Sequence, residues 1–168
     1  MRVPGVGGPR EVLAVAVAAL EDAGLRIEAV APVSTTRPIG PSLRSYANGA
    51  AIVSTELSPI DLLAELQHIE RIFGRKQRGQ RWRARPLDLD IILWSGGAWH
   101  SPGLTIPHTA FRQRDFVLRP AAAIAGDWRD PVTGLTPCHL HARLTRPVPL
   151  RRCAAGRALS SVGRATDF

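Results

Sequence analysis

The sequence predicts an α+β fold, a ferredoxin-like α/β sandwich in which helices pack on one antiparallel sheet. Two observations carry this. Apolar residues recur at helical spacing in two separate runs, residues 11–23 and 59–73, and β-rich segments lie between and after them. The resulting order of helix, strand, strand, helix, strand is a split β-α-β arrangement, provided that a strand precedes the first helix. Only residues 1–6 remain for that strand, so it is expected to be truncated.

Each element has a local cause. Pro9 follows Gly7 and Gly8 and suits a first helical turn; the Ala/Val/Leu-rich run from Glu11 closes at Gly24, a helix stop. Residues 25–33 read as one strand and 46–57 as another, the latter centred on Ile52 and Val53. Pro38, Gly40 and Pro41 make residues 35–45 a loop. Ser58, Pro59 and Asp61 then supply a hydroxyl cap, a first-turn proline and a first-turn acid. Leu62, Leu63, Leu66, Ile69, Ile72 and Phe73 form the buried stripe of this second helix, and Gly74 ends it. A polar loop, 75–85, leads to a strand over 87–94. A stretch containing proline and glycine covers 95–108, and a short apolar segment, 116–124, ends as helix.

A chain of 168 residues favours one domain with a modest core. The expected boundaries are a domain over 1–147 and a disordered tail over 148–168. No run approaches the roughly 20 apolar residues of a membrane span, and no leader pattern follows Met1, so a cytoplasmic protein without a membrane partner is expected. Cys138 and Cys153 lack metal or disulfide spacing and read as ordinary thiols. His139 and His141 have no nearby carboxylate or thiolate pattern and read as non-metal histidines.

The net charge of +8 raises nucleic-acid binding as a possibility. Its distribution argues otherwise. From Arg143 onward there are six arginines and one aspartate, so this last stretch supplies +5 of the +8. Within the body, residues 71–85 hold seven bases and no acid, followed at once by Asp88 and Asp90. Two carboxylates two residues apart on a strand share one face, about 6 to 7 Å apart. Such a pair suits a hard cation such as magnesium, which favours carboxylates together with substrate phosphates. An Asp-x-Asp alone is a weak signal; the adjoining cationic loop strengthens it, because phosphoryl transfer depends on positioning and charge neutralisation.

The run Arg81-Trp82-Arg83-Ala84-Arg85-Pro86-Leu87-Asp88-Leu89-Asp90-Ile91-Ile92 resembles the signature of the hydroxymethyldihydropterin pyrophosphokinases, and Leu104-Thr105-Ile106-Pro107-His108 resembles that family's next block. With Thr36 to Pro41, Tyr46-Ala47-Asn48 and Arg114-Asp115-Phe116 in order, the resemblance spans roughly residues 7–144. It implies transfer of a diphosphate from ATP to a pterin alcohol, with AMP released, in folate biosynthesis. Asp88 and Asp90 are then expected to hold two magnesium ions on the ATP phosphates, with Arg75, Arg85 and Arg81 on phosphate oxygens and Trp82 ordering the loop. Glu70, Ile91, Thr105, His108 and Arg114 match nucleotide-site positions. Tyr46 and Phe116 are expected to sandwich the pterin ring, while Asn48 and the segment carrying Thr36, Pro38 and Ile39 read its edge. The implied partners are ATP and the pterin alcohol, with no nucleic acid and a monomeric enzyme. No general base is assigned.

Three departures accompany the resemblance. The first strand and its turn are not replaced convincingly by residues 3–8, which leads to the expectation that the true start of the reading frame lies upstream. Gln77 and Gly103 stand where relatives often carry arginine, and Arg83 where glycine is common. Residues 160–168 resemble conceptual translations of transfer-RNA genes, so the tail is expected to stem from a frameshift or read-through. Two other readings compete: an impaired remnant of the family, and a basic RNA-binding module, for which the sequence lacks RNP-type aromatics on adjacent strands.

Overall fold

A computed structural model describes residues 7–36, 46–74 and 87–147 of the chain. Helix α1, Pro9–Asp22, has Pro9 in its first turn and Glu11 near its positive end. It buries Val12, Ala16 and Leu20. Strand β1, Arg26–Val30, pairs antiparallel with β4, Ala51–Ser54, and β2, Ser34–Thr36, pairs antiparallel with β3, Tyr46–Asn48. The Ala31 amide donates to the Ala50 carbonyl at 2.8 Å, linking the two pairings into one interrupted ribbon. The strand expected over 46–57 is therefore two short ones, that over 25–33 is β1 alone, and Ser34–Thr36, of which the last two residues were expected in a loop, belongs to the ribbon.

Helix α2, Pro59–Ile72, begins where its signals predicted. The Ser58 side chain accepts from the Asp61 amide at 3.3 Å and its hydroxyl donates to the Asp61 carboxylate at 2.6 Å. The stop is Gly74, at φ +90°, whose amide reaches the Arg71 carbonyl. Leu62, Leu66 and Ile69 bury against Val12, Ala16 and Leu20 of α1, and Leu87, Ile91, Leu104 and Ile106 complete this core. Each large aliphatic side chain so buried contributes roughly 1.5 to 3 kcal/mol.

Three elements beyond residue 94 depart from expectation. Strands β5, Trp99–Ser101, and β6, Leu104–Ile106, form a hairpin inside the proline- and glycine-containing stretch, for which no element was expected. Its turn is Pro102-Gly103, with Gly103 at φ +85°, a conformation that glycine adopts without strain. Helix α3, Asp115–Ile124, covers the whole apolar segment rather than only its end. A further helix, α4, Pro137–Thr145, was not anticipated; Thr136 caps it in a reciprocal arrangement with His139. Helices α3 and α4 and a short 3-10 turn, Phe111–Gln113, share a second core of Phe111, Leu118 and Leu140.

The strand expected over 87–94 is corrected as well: among the described residues this segment joins no strand ladder. Part of the reason is local, since the Leu89 amide bonds to a side chain, Glu70 Oε1, at 2.9 Å. The architecture is thus α+β, with small antiparallel pairings covered by helices. Among the described residues no helix is long and apolar enough to cross a membrane.

Candidate active site

The segment 87–91 behaves as an extended chain with two faces, even without a ladder. Leu87 and Ile91 are buried and Leu89 is partly buried, whereas Asp88 and Asp90 between them are exposed. Apolar packing therefore turns both carboxylates outward together, as the alternation of the sequence implied. Asp90 and Ile91 line a cavity of about 550 Å³ with Leu63, His100, Thr105 and His108.

His108 enters this cavity from the segment just after β6. Its backbone amide donates to the Ile92 carbonyl at 3.1 Å, and its Nδ1 accepts from the Ala110 amide at 3.2 Å. With Nδ1 accepting, the ring N–H lies on Nε2. Nε2 lies 3.9 Å from Asp90 Oδ2, too far for a direct hydrogen bond but close enough for one water to bridge the two groups. Thr105, exposed on β6, shares a 3.1 Å hydrogen bond with His100 Nδ1 on β5.

His100 is a residue that the reading of the sequence missed. The Pro102-Gly103 turn was the available signal, because it sets His100 opposite Thr105 in the hairpin.

The residues expected around a flat ring come from two elements. Tyr46 and Asn48 lie on β3, and Phe116 lies in the first turn of α3, which packs against β2, β3 and β4. Tyr46 is 42 % exposed, with its ring open to a ligand rather than packed in a core, and Phe116 is partly buried. The Arg114 guanidinium sits 5.8 Å from the centre of the Phe116 ring, backing it with a cation–π contact. Asp115, between them, accepts from Arg119 and pairs with His141 of α4, both at 2.9 Å, which ties the start of α3 to α4.

A buried ion pair supports the histidine side of the site. Asp130, fully buried, accepts from Arg112 Nε and from a terminal guanidinium nitrogen of Arg112, both at 2.7 Å, and also from the Val132 amide and the Thr133 hydroxyl. These donors, led by Arg112, hold the Asp130 carboxyl down at about 2, against burial. The same pairing raises the Arg112 guanidinium above its ordinary value.

Glu70 does not line the cavity surface. It is 1 % exposed, packed under the Asp88–Asp90 segment. Backbone residues of Thr36 lie on β2; Pro38 and Ile39, and the loop residues Arg75, Arg81, Trp82 and Arg85, fall outside the described residues.

The donor set fits magnesium. Both carboxylates face outward with hard oxygen ligands, and among the described residues no group of three or more His, Cys, Asp or Glu side chains forms an all-protein cage. A pair of carboxylates completed by substrate phosphates and water is how magnesium is commonly held.

Comparison with known proteins agrees with these features. A family model described as 7,8-dihydro-6-hydroxymethylpterin-pyrophosphokinase matches residues 5–126. A 2-amino-4-hydroxy-6-hydroxymethyldihydropteridine pyrophosphokinase of Synechocystis is 42% identical over 114 residues, 68% of this chain and 58% of the relative. Its namesake in Pseudomonas aeruginosa is 42% identical over 125 residues, 73% of this chain and 76% of the relative. A folic acid synthesis protein of Schizosaccharomyces pombe is 38% identical over 111 residues, 66% of this chain and 15% of the relative. The chain thus spans 58% of the length of the Synechocystis protein.

Proposed function

From the premise that this chain belongs to the 7,8-dihydro-6-hydroxymethylpterin-pyrophosphokinase family, we propose that it transfers diphosphate from ATP to 6-hydroxymethyl-7,8-dihydropterin, giving the pterin diphosphate and AMP for folate synthesis. The observation that supports this best is the common cavity: Asp90 of the outward pair, and Thr105 and His108 from the following block, line one concave space.

In this reading Asp88 and Asp90 hold two magnesium ions. Magnesium, when bound, neutralises charge on the triphosphate and polarises the transferred phosphorus. His108 presents an Nε2 proton to a phosphate oxygen, and Thr105 and Ile91 bound the nucleotide. The charge-assisted donors Arg75, Arg81 and Arg85, with Trp82, come from the loop between α2 and the aspartates. Tyr46 and Phe116 stack on the pterin, with Arg114 behind Phe116, and Asn48 with residues 36–39 reads its edge. This arrangement aligns the hydroxymethyl oxygen with the β-phosphorus, and positioning rather than a covalent nucleophile lowers the barrier. The reading further takes the sandwich as ferredoxin-like, the domain as residues 1–147, and the enzyme as a cytoplasmic monomer acting on small molecules alone.

The test is AMP formation by the purified chain with ATP, magnesium and the pterin alcohol. AMP should form only when all three are present. ATP turnover that is indifferent to the pterin, or no turnover with tight ATP binding, would refute the reading, the latter in favour of an inactive remnant.

A further inference from the structure

We propose that Glu70 is a positioning residue that sets the direction of the Asp88–Asp90 pair by holding the backbone between them. The inference rests on the proposed metal role of that pair and deepens it. Glu70 lies in the last turn of α2, 1 % exposed, beside Leu66, Ile69 and Phe73 of the main core. A carboxylate is costly to bury, and a leucine would satisfy the packing requirement at such a position. What leucine cannot do is accept a hydrogen bond, and Glu70 Oε1 accepts one from the Leu89 amide at 2.9 Å, across 19 residues.

Leu89 is the middle residue of Asp88-Leu89-Asp90. An extended segment can roll about its own axis, and a roll sends both flanking side chains in a new direction. Strands usually prevent this with ladder bonds on each side, but among the described residues segment 87–94 joins no ladder. Besides the bond from the His108 amide to the Ile92 carbonyl further along, two restraints act on its roll at the aspartates themselves. One is apolar: Leu87 and Ile91 anchor in the core. The other is polar and directional: Glu70 fixes the Leu89 amide from inside, on the segment whose outer face carries the two aspartates. The first tolerates sliding and rotation of several degrees, and the second specifies one orientation. Glu70 thus has its effect on bound metal through the main chain, without reaching the cavity.

The test uses the full chain carrying Glu70→Gln, Glu70→Asp and Glu70→Met. Two readouts are taken: hydrogen exchange of the Leu89 amide, and the magnesium concentration giving half-maximal binding of a non-hydrolysable α,β-methylene analogue of ATP. Glu70→Gln keeps a carbonyl oxygen at the right reach and should rescue both. Glu70→Asp keeps the charge but is one methylene short, and Glu70→Met removes the acceptor. Both should expose the Leu89 amide to exchange and raise the magnesium requirement about 10- to 100-fold, the range for loss of a partner that orients a metal ligand. A role resting on charge alone reverses the order, Asp outperforming Gln, and that ranking would overturn the proposal. So would a Glu70→Asp variant, folded by circular dichroism, with an unchanged magnesium requirement. The Asp and Gln variants decide the matter even if Glu70→Met fails to fold. Should the wild-type chain bind no magnesium-analogue complex, the proposed function fails, and the Leu89 exchange rates still decide whether Glu70 holds the segment.

Discussion

Replacing Asp130 by asparagine tests how the histidine side of the site is held. Asp130 is fully buried and accepts four hydrogen bonds, two from Arg112, which joins the turn after His108 to the segment entering α4. Its carboxyl is held at about 2 in the folded chain, against an ordinary value of 3.8. At about 1.4 kcal/mol per pH unit, the difference corresponds to about 2 kcal/mol of folding stability. The folded value is the depressed one, so this stability is present above the unfolded value and is lost as pH falls through the folded one. About half should be gone by roughly pH 3 and most by about pH 2. The assay is urea unfolding of wild type and Asp130→Asn at a series of pH values, followed by tryptophan fluorescence. Asparagine does not titrate, and the other carboxylates are common to both proteins, so the difference between the two isolates this group. It should shrink by about 2 kcal/mol between roughly pH 5 and pH 2. A difference independent of pH would show that the Arg112–Asp130 pair does not stabilise the charged carboxylate in the folded state, and the reasoning would fail.

Other outcomes follow from the same geometry. Asp88→Asn and Asp90→Asn should each lower kcat for AMP formation by roughly 100-fold or more while leaving the thermal midpoint close to wild type, because both side chains are exposed. Tyr46→Ala should raise KM for the pterin alcohol with little loss of stability, whereas Phe111→Ala, in the buried second core, should cost about 3 to 5 kcal/mol in urea unfolding. Ser58→Ala removes the cap of α2 and should cost about 1 kcal/mol, measured the same way.

The legibility of this chain in its sequence follows the strength of local chemistry. Helix α2 was readable because Ser58, Pro59, Asp61 and a repeating apolar stripe all point one way, and the structure uses each of them. The outward pair Asp88 and Asp90 was readable because alternation with Leu87, Leu89 and Ile91 survives even where no ladder forms. The hairpin of β5 and β6 was not, since three residues per strand are too few to show a period on either side of Pro102-Gly103. Helix α4 starts with Thr136-Pro137, a hydroxyl cap before proline like the Ser58-Pro59 of α2, yet its short length and the arginines near Arg146 made it resemble the tail. The contact between Glu70 and Leu89 was illegible for a different reason: nothing local marks a side chain whose partner lies 19 residues away. Several residues expected in the site, Arg75, Arg81, Trp82, Arg85, Pro38 and Ile39, lie outside the described residues.

The central claim is that Asp88 and Asp90 hold divalent metal on the triphosphate. Its most direct test is manganese binding followed by electron paramagnetic resonance, with and without ATP, in wild type and in the double variant Asp88→Asn, Asp90→Asn. Wild type should bind manganese far more tightly when ATP is present, and the folded double variant should lose that gain. Retention of ATP-dependent manganese binding by the double variant would contradict the account.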